Sequence, residues 1–166
     1  ACTATASVTV TVFSNPAISI TPSTPAICSG NSVSLTASST NPGTNYTWSP
    51  GTGLSSTSGA TVTASPAATQ LYTVNGTYGN GCTGSNSVTV TVNNNPTLTV
   101  TPNSPLICPG SSVSLTASST TAGTNFTWSP GTGLSSTSGA TVTANPASTQ
   151  TYTINGTDGN GCTGST

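Results

Sequence analysis

The feature that most constrains this chain is an internal repeat with a period of 80 residues. Trp128 follows Trp48 by that interval, and Cys108 follows Cys28 by the same one. Over the paired segments that begin at these two cysteines, 11 of 59 positions differ. A fixed period of this kind marks a structural unit copied in tandem. Since the period is long enough for a small domain, each repeat is predicted to fold as one.

Within a repeat, apolar and polar residues alternate over short segments. The alternation covers residues 32–37, 46–48, 61–63, 72–74 and 88–92, and Gly, Pro and Asn separate these runs. Alternation of period two in Val-, Ile-, Thr- and aromatic-rich runs is typical of strands with one buried face. No segment has helical periodicity. The sequence therefore predicts an all-β chain of antiparallel β-sandwich domains.

The same alternation predicts the core. Trp48 and Trp128 lie in alternating segments and are expected to be buried, like the tryptophan on the third strand of immunoglobulin sandwiches. Replacement of Tyr46 by Phe126 keeps nearly the same apolar volume, as interchangeable core positions do. The predicted inward set is Ile18, Ile20, Val33, Leu35, Tyr46, Trp48, Val62, Tyr72, Val74, Val88 and Val90, then Leu98, Val100, Val113, Leu115, Phe126, Trp128, Val142, Tyr152 and Ile154.

The repeat also predicts the domain boundaries. Residues 1–13 align with 81–93 and are expected to be the final strand of a preceding repeat. Residues 14–92 are expected to form a complete domain, and residues 93–166 are expected to form a second domain that lacks its last strand. An open edge of this kind needs a partner. Either the covalent chain continues as an array, or the N-terminal strand of one copy inserts into the last domain of the next.

The charge content is very low, because Lys, Arg, His and Glu are absent and Asp158 is the single charged side chain. Nucleic-acid binding through phosphates is excluded, and so is attraction to anionic lipid. No apolar run approaches the roughly 18 residues of a membrane helix. Acid–base and nucleophilic catalysis lack their usual groups, so no enzyme, metal site or cofactor is expected. Asp158 is predicted to be a solvated turn residue.

Four short motifs indicate a family. They are Cys-x-Gly-x-Ser-Val-Ser-Leu-Thr-Ala from residue 28, Thr-Trp-Ser-Pro-Gly-Thr-Gly-Leu from 47, Tyr-Thr-Val-Asn-Gly-Thr from 72, and Gly-Asn-Gly-Cys-Thr-Gly from 79. This pattern resembles the immunoglobulin-like (Ig-like) or PKD-like repeats of very large secreted surface proteins of Bacteroidetes-type bacteria. The resemblance implies tandem Ig-like β-sandwich domains and a secreted or cell-surface location, and it supplies no catalytic residues.

The cysteines have no short pairing such as C-x2-C and no histidine nearby, so disulfides are expected rather than zinc. One scheme joins Cys28 to Cys82 and Cys108 to Cys162 within each repeat. In an Ig-like topology, however, Cys28 and Cys82 lie at opposite ends of the sandwich, farther apart than a disulfide permits. The second scheme joins Cys28 to Cys162, between repeats, and expects a partner for Cys2 in a longer array. Both schemes remain open from the sequence.

Four segments match the N-glycosylation pattern Asn-x-Thr, and they begin at Asn45, Asn75, Asn125 and Asn155. The alternation places Asn45 and Asn75 on the solvent side of their strands. O-linked sugar on the abundant Ser and Thr residues is an alternative of at least equal weight. A glycan coat is expected, since it would compensate for the missing surface charge.

Taken together, these features predict a structural role outside the cell. The chain is expected to be a repeat of an extracellular filament or cell-surface stalk, with further copies of itself as partners. The alternative is an adhesin whose repeats bind carbohydrate or a surface. An adhesin should expose an aromatic cluster in each repeat, yet Tyr78 is the single candidate and Asp158 replaces it in the second repeat.

Overall fold

The computed structural model describes residues 2–166, and Ala1 lies outside the described residues. The described chain contains strands, turns and loops but no helix. It divides into two compact units. The first unit comprises the residues up to Ala26 together with Ser32–Thr91, and the second comprises Ile27–Asn31 together with Val92–Thr166.

The first unit is built from seven strands in two antiparallel sheets. The strands are β1 Ile18–Thr21, β2 Ala26–Cys28, β3 Val33–Ser39, β4 Asn45–Ser49, β5 Thr61–Ala64, β6 Gln70–Thr77 and β7 Thr83–Asn93. One sheet has the order β1-β3-β5 and the other has the order β2-β7-β6-β4. The division between the units passes through β2 and β7.

The core of the first unit lies between these sheets, where the alternating side chains meet. Leu35, Val62, Tyr72, Val74 and Val90 are each at most 2% exposed. Removal of such apolar surface from water is the main favourable term in folding. The buried polar groups are also paired: the Tyr72 hydroxyl donates to the Thr52 carbonyl oxygen at 2.7 Å.

A pair of glycines lets one segment cross the second sheet closely. Gly76 and Gly84 are directly opposite in β6 and β7. A Cβ atom at Gly84 would overlap the carbonyl oxygen of Pro16, which is backbone and cannot move aside like a flexible side chain. Gly156 and Gly164 repeat this arrangement beneath Pro96 in the second unit.

The second unit repeats most of this architecture. Its strands are β8 Leu98–Thr101, β9 Val113–Ser119, β10 Asn125–Ser129, β11 Thr141–Ala144, β12 Thr153–Thr157 and β13 Thr163–Ser165. They form the sheets β11-β9-β8 and β10-β12-β13. Its buried core residues are Leu98, Leu115, Ala117, Trp128, Val142, Ala144 and Ile154.

The all-β sandwich predicted from the alternation is confirmed, and so is the Ig-like fold that the family resemblance implies. Every side chain in the predicted inward set is buried or half-buried. Strand β2 had no alternation to reveal it, because it is three residues long, and its Ile27 is an additional core residue at 8% exposure.

Candidate functional site

A single disulfide within the described residues joins the two sequence repeats. Cys28 and Cys162 are bonded with their Cα atoms 5.4 Å apart, and 134 positions separate them in sequence. Both cysteines belong to the second compact unit, which includes Ile27–Asn31 of the first sequence repeat. Of the two pairings that the sequence left open, the structure contains the one between repeats.

Hydrogen bonds hold the same segment in place beside the disulfide. The backbone N–H of Ser29 donates to the carbonyl oxygen of Asn93 at 2.8 Å. The side-chain amide of Asn95 donates to the carbonyl oxygen of Ser29 at 3.2 Å. The Cys28 segment is therefore fixed to the second repeat by a covalent bond and by two hydrogen bonds.

The other three cysteines of the described chain are free thiols. Cys2 and Cys108 are exposed, and Cys82 is half-buried. Because Cys28 is bonded to Cys162, the pairings of Cys28 with Cys82 and of Cys108 with Cys162 do not form here. The Cys82 sulfur lies 3.9 Å from the carbonyl oxygen of Phe13. At the corresponding place in the next repeat, the Cys162 sulfur lies 3.9 Å from the carbonyl oxygen of Asn93.

The second unit contains an open groove of about 610 Å³. Its floor includes Val113, Leu115, Trp128, Tyr152 and Ile154, so it reaches the core of the unit. In the first unit, β7 occupies the corresponding place. We call this feature the second-unit groove.

Strand β7 explains the difference between the two units. In the first unit, its buried Val88 and Val90 lie opposite Tyr72 and Gln70 of β6, and Tyr72 is fully buried. In the second unit, the short β13 pairs with β12 only at the far end of that strand. Tyr152, the counterpart of Tyr72, is consequently only half-buried.

The N-terminal segment has the same sequence as the part of β7 that has no counterpart in the second unit. Residues 7–12 read Ser-Val-Thr-Val-Thr-Val, identical to residues 87–92 of β7. They form no strand among the described residues. Val8, Val10 and Val12 are 88%, 79% and 87% exposed. An alternating apolar strand sequence is therefore almost fully in water, where it has nothing to pack against.

The predicted glycosylation positions lie on the outer face of the sheets. All four asparagines, Asn45, Asn75, Asn125 and Asn155, are exposed. In the first unit, Asn45 of β4 is opposite Thr77 of β6, and Thr47 is opposite Asn75. The second unit repeats the pattern with its own pair of motifs. Each unit thus presents a cluster of uncharged amide and hydroxyl groups to solvent.

The prediction that Asp158 is a solvated turn residue is wrong. Asp158 is 5% exposed, and its Oδ1 atom accepts hydrogen bonds from the backbone N–H groups of Asn160 and Cys162 at 2.9 and 2.8 Å. Two N–H donors can offset the cost of burying a carboxylate. The turn of residues 158–161 wraps around this side chain and presents Cys162, which is fully buried, to its partner.

The tryptophans are core residues in both units. Trp48 and Trp128 are each 3% exposed, and their indole N–H groups donate to the carbonyl oxygens of Gly59 and Gly139 at 3.0 and 2.9 Å. Neither ring is available to stack on a ligand. Tyr78 is half-buried, and the described residues hold no group of three or more His, Cys, Asp or Glu that could bind a metal ion.

The described part of the chain has no helix long and apolar enough to cross a membrane. The protein family described as Ig-like domain, CHU_C associated, matches residues 14–96. No curated protein matches the chain.

Among solved structures, the N-terminal eight Ig domains of Down syndrome cell adhesion molecule are similar at 16% identity and a TM-score of 0.54. That match covers 86% of this chain and 26% of the other. The insect immune protein hemolin matches at 15% identity and a TM-score of 0.45, over 90% of this chain and 45% of the other. At such identities, the likeness to the adhesion molecule shows the Ig-like fold alone.

Proposed function

Because the chain belongs to the family of CHU_C-associated Ig-like domains, a Bacteroidetes-type family, we propose that it is a structural repeat of an extracellular filament or cell-surface stalk. The observation that carries this proposal is the Cys28–Cys162 disulfide, which ties one repeat covalently to the next. A brace between repeats suits a chain of domains that bears tension.

The disulfide also supports a location outside the cytoplasm. Structural disulfides form and persist in oxidising compartments such as the cell exterior. A filament in that location is exposed to proteases, and this chain offers no Lys or Arg to enzymes that cleave after basic residues. Its formal net charge of −1 provides little repulsion between copies, and low net charge favours association.

Glycans on the outer face are part of the proposal. Asn45 and Asn75 are exposed and lie on the same face of neighbouring strands, beside the threonines of the paired motif. Sugars attached there would project into solvent without disturbing the core. The test is the intact mass of native material. A mass above that calculated for the unmodified native polypeptide is expected, and a mass equal to the calculated one would contradict the glycan coat.

The adhesin alternative receives less support from the described residues. Tyr78 is half-buried, and its counterpart Asp158 is buried and hydrogen-bonded within its own turn. No exposed aromatic platform therefore recurs in both units. The repeated elements are those of a shaft, namely the core, the disulfide position and the polar outer face.

Electron microscopy of native material tests the structural proposal. Filaments with an axial period of one or two domains are expected. The same sample treated with a thiol reductant serves as a control, because loss of the brace should make the filaments more flexible. Discrete globular particles in the untreated sample would refute the filament.

A further inference from the structure

We propose that Ser7–Val12 of one copy inserts as a β-strand into the second-unit groove of another copy, and that Cys108 of the acceptor then bonds to Cys82 of the donor copy. The inference rests on the proposed filament and supplies its joint. A second copy of this chain is thus the partner, and the donor segment, the groove and the cysteine pair are the site.

The sequence of Ser7–Val12, which we call the donor segment, indicates that it can fill the second-unit groove. The donor segment is identical in sequence to residues 87–92, and those residues fill the corresponding place in the first unit. There, Val88 is 4% exposed and Val90 is fully buried, whereas Val8 and Val10 are 88% and 79% exposed. Insertion would bury two valines in an environment already built around that sequence.

The edge of the groove supplies backbone partners in a defined register. In the first unit, Val88 pairs with Tyr72 and Val90 pairs with Gln70. The same register places Val8 opposite Tyr152 and Val10 opposite Gln150. Within residues 2–166, β13 does not extend along that part of the edge. Addition of a strand to such an edge is an established mode of peptide recognition.

On the opposite side of the groove, the residues that correspond to β2 could also pair with an inserted strand. In the first unit, the backbone N–H of Thr91 donates to the carbonyl oxygen of Pro25 at 3.0 Å, beside the buried Ile27. The counterpart of Ile27 is Ile107, which is 36% exposed, and its neighbour Leu106 is 98% exposed. The inserted strand Ser7–Val12 would give residues 106–108 the partner that β7 gives to β2.

The Cys28–Cys162 disulfide is the template for the covalent part of the joint. Cys108 stands 80 positions after Cys28, and Cys82 stands 80 positions before Cys162. Phe13 directly follows the segment Ser7–Val12, and its carbonyl oxygen lies 3.9 Å from the Cys82 sulfur. In the same way, Asn93 directly follows residues 87–92, and its carbonyl oxygen lies 3.9 Å from the Cys162 sulfur. Insertion of the segment would therefore deliver Cys82 of the donor to Cys108 of the acceptor.

The bond requires an oxidant, which we assign to the class of disulfide donors. Each thiol loses one proton and one electron, one S–S bond forms, and the donor disulfide is reduced to two thiols. The free states of Cys82 and Cys108 in the single chain agree with this scheme, because each lacks its partner until a second copy arrives.

Matched variants of the donor segment test the insertion. Val8→Asp and Val10→Asp place a charge on the face that enters the groove, and Thr9→Asp places the same charge on the outer face, since its counterpart Thr89 is exposed. With the full chain in analytical ultracentrifugation, the two valine variants should associate at least about 100-fold more weakly than wild type. Thr9→Asp should remain near wild type. Equal association of all four proteins would overturn the insertion.

Native filaments supply a second test. Chymotryptic peptides of non-reduced filaments should contain a Cys82–Cys108 link. Reduced, denatured filaments should release separate short chains rather than one continuous array of repeats. A released chain of many repeats would mean that a continuing segment of the same chain fills the groove. That result would contradict the insertion between copies but not the proposed filament. Absence of filaments would instead end the proposed function.

Discussion

Removal of the Cys28–Cys162 disulfide should selectively destabilise the second unit of the single chain. If the whole chain unfolds, the bond closes a loop of 134 residues. If the first unit stays folded, the pairing of β2 with β7 and the hydrogen bond from the Ser29 N–H to the Asn93 carbonyl oxygen keep Cys28 near Asn93. The loop then shortens to the 69 residues between Asn93 and Cys162. The chain-entropy relation gives about 5.0 kcal/mol for the longer loop and about 4.4 kcal/mol for the shorter one.

This magnitude is large beside the roughly 5–15 kcal/mol by which a domain is stable. The perturbation is Cys28→Ser, and the assay is hydrogen exchange measured on peptides by mass spectrometry. Peptides that contain Ile154 of β12 differ in mass from those that contain Val74 of β6, so the nearly identical repeats are resolved. Exchange in β12 should accelerate by about 10³-fold, since each 1.4 kcal/mol is tenfold. Exchange in β6 should change little.

Cys108→Ser is the matched control, because it alters the same position of the other repeat and removes a free thiol. It should leave exchange in β12 unchanged. Reduction of the wild-type chain should reproduce the effect of Cys28→Ser. If Cys28→Ser leaves the exchange rate of β12 at the wild-type value, or if Cys108→Ser raises it equally, the assignment of the brace is refuted.

Three further perturbations probe the interior. Burial raises the pKa of Tyr72 above its usual 10.0. The contribution of the neutral Tyr72 hydroxyl to the stability of the first unit is therefore fully present below about pH 10 and is lost as the pH rises through the raised pKa. Urea midpoints between about pH 8 and 11 should show this fall, and Tyr72→Phe should remove it. Asp158→Ala loses two hydrogen bonds to backbone N–H groups and should cost about 1.5–3 kcal/mol, whereas Asp158→Asn, which retains an acceptor oxygen, should cost less; equal urea midpoints would contradict this. Gly84→Ala would overlap the Pro16 carbonyl oxygen and should cost about 1–3 kcal/mol in thermal unfolding. Gly79→Ala, which meets open space, should stay within about 0.5 kcal/mol, and the same loss at both glycines would contradict the crowding argument.

The sequence predicted the strands and the core because alternation is a local property. The polar residues on either side of Trp48, Leu35 and Val62 indicate that these three side chains point inward, because successive side chains of a strand lie on opposite faces of the sheet. The repeat then transferred each assignment to the second unit. Strand β2 was not predicted, because alternation cannot be recognised over a segment of three residues.

Tertiary structure alone decided what lies beside what. Cys28 could pair with Cys82 or Cys162 by sequence, and the choice follows from the packing of Ile27–Asn31 with the second unit. The burial of Asp158 was hidden for a similar reason: its partners are backbone N–H groups, which every residue possesses and no motif records.

The 80-residue period, the sandwich and the uncharged surface are therefore written in the sequence, since they depend on residue type and spacing. The open groove and the exposed state of Val8, Val10 and Val12 are written only in three dimensions. The same Ser-Val-Thr-Val-Thr-Val letters are a buried strand in β7 and a solvent-exposed segment at residues 7–12. The physical reason is that burial belongs to a side chain together with its neighbours, and the neighbours are supplied by the fold.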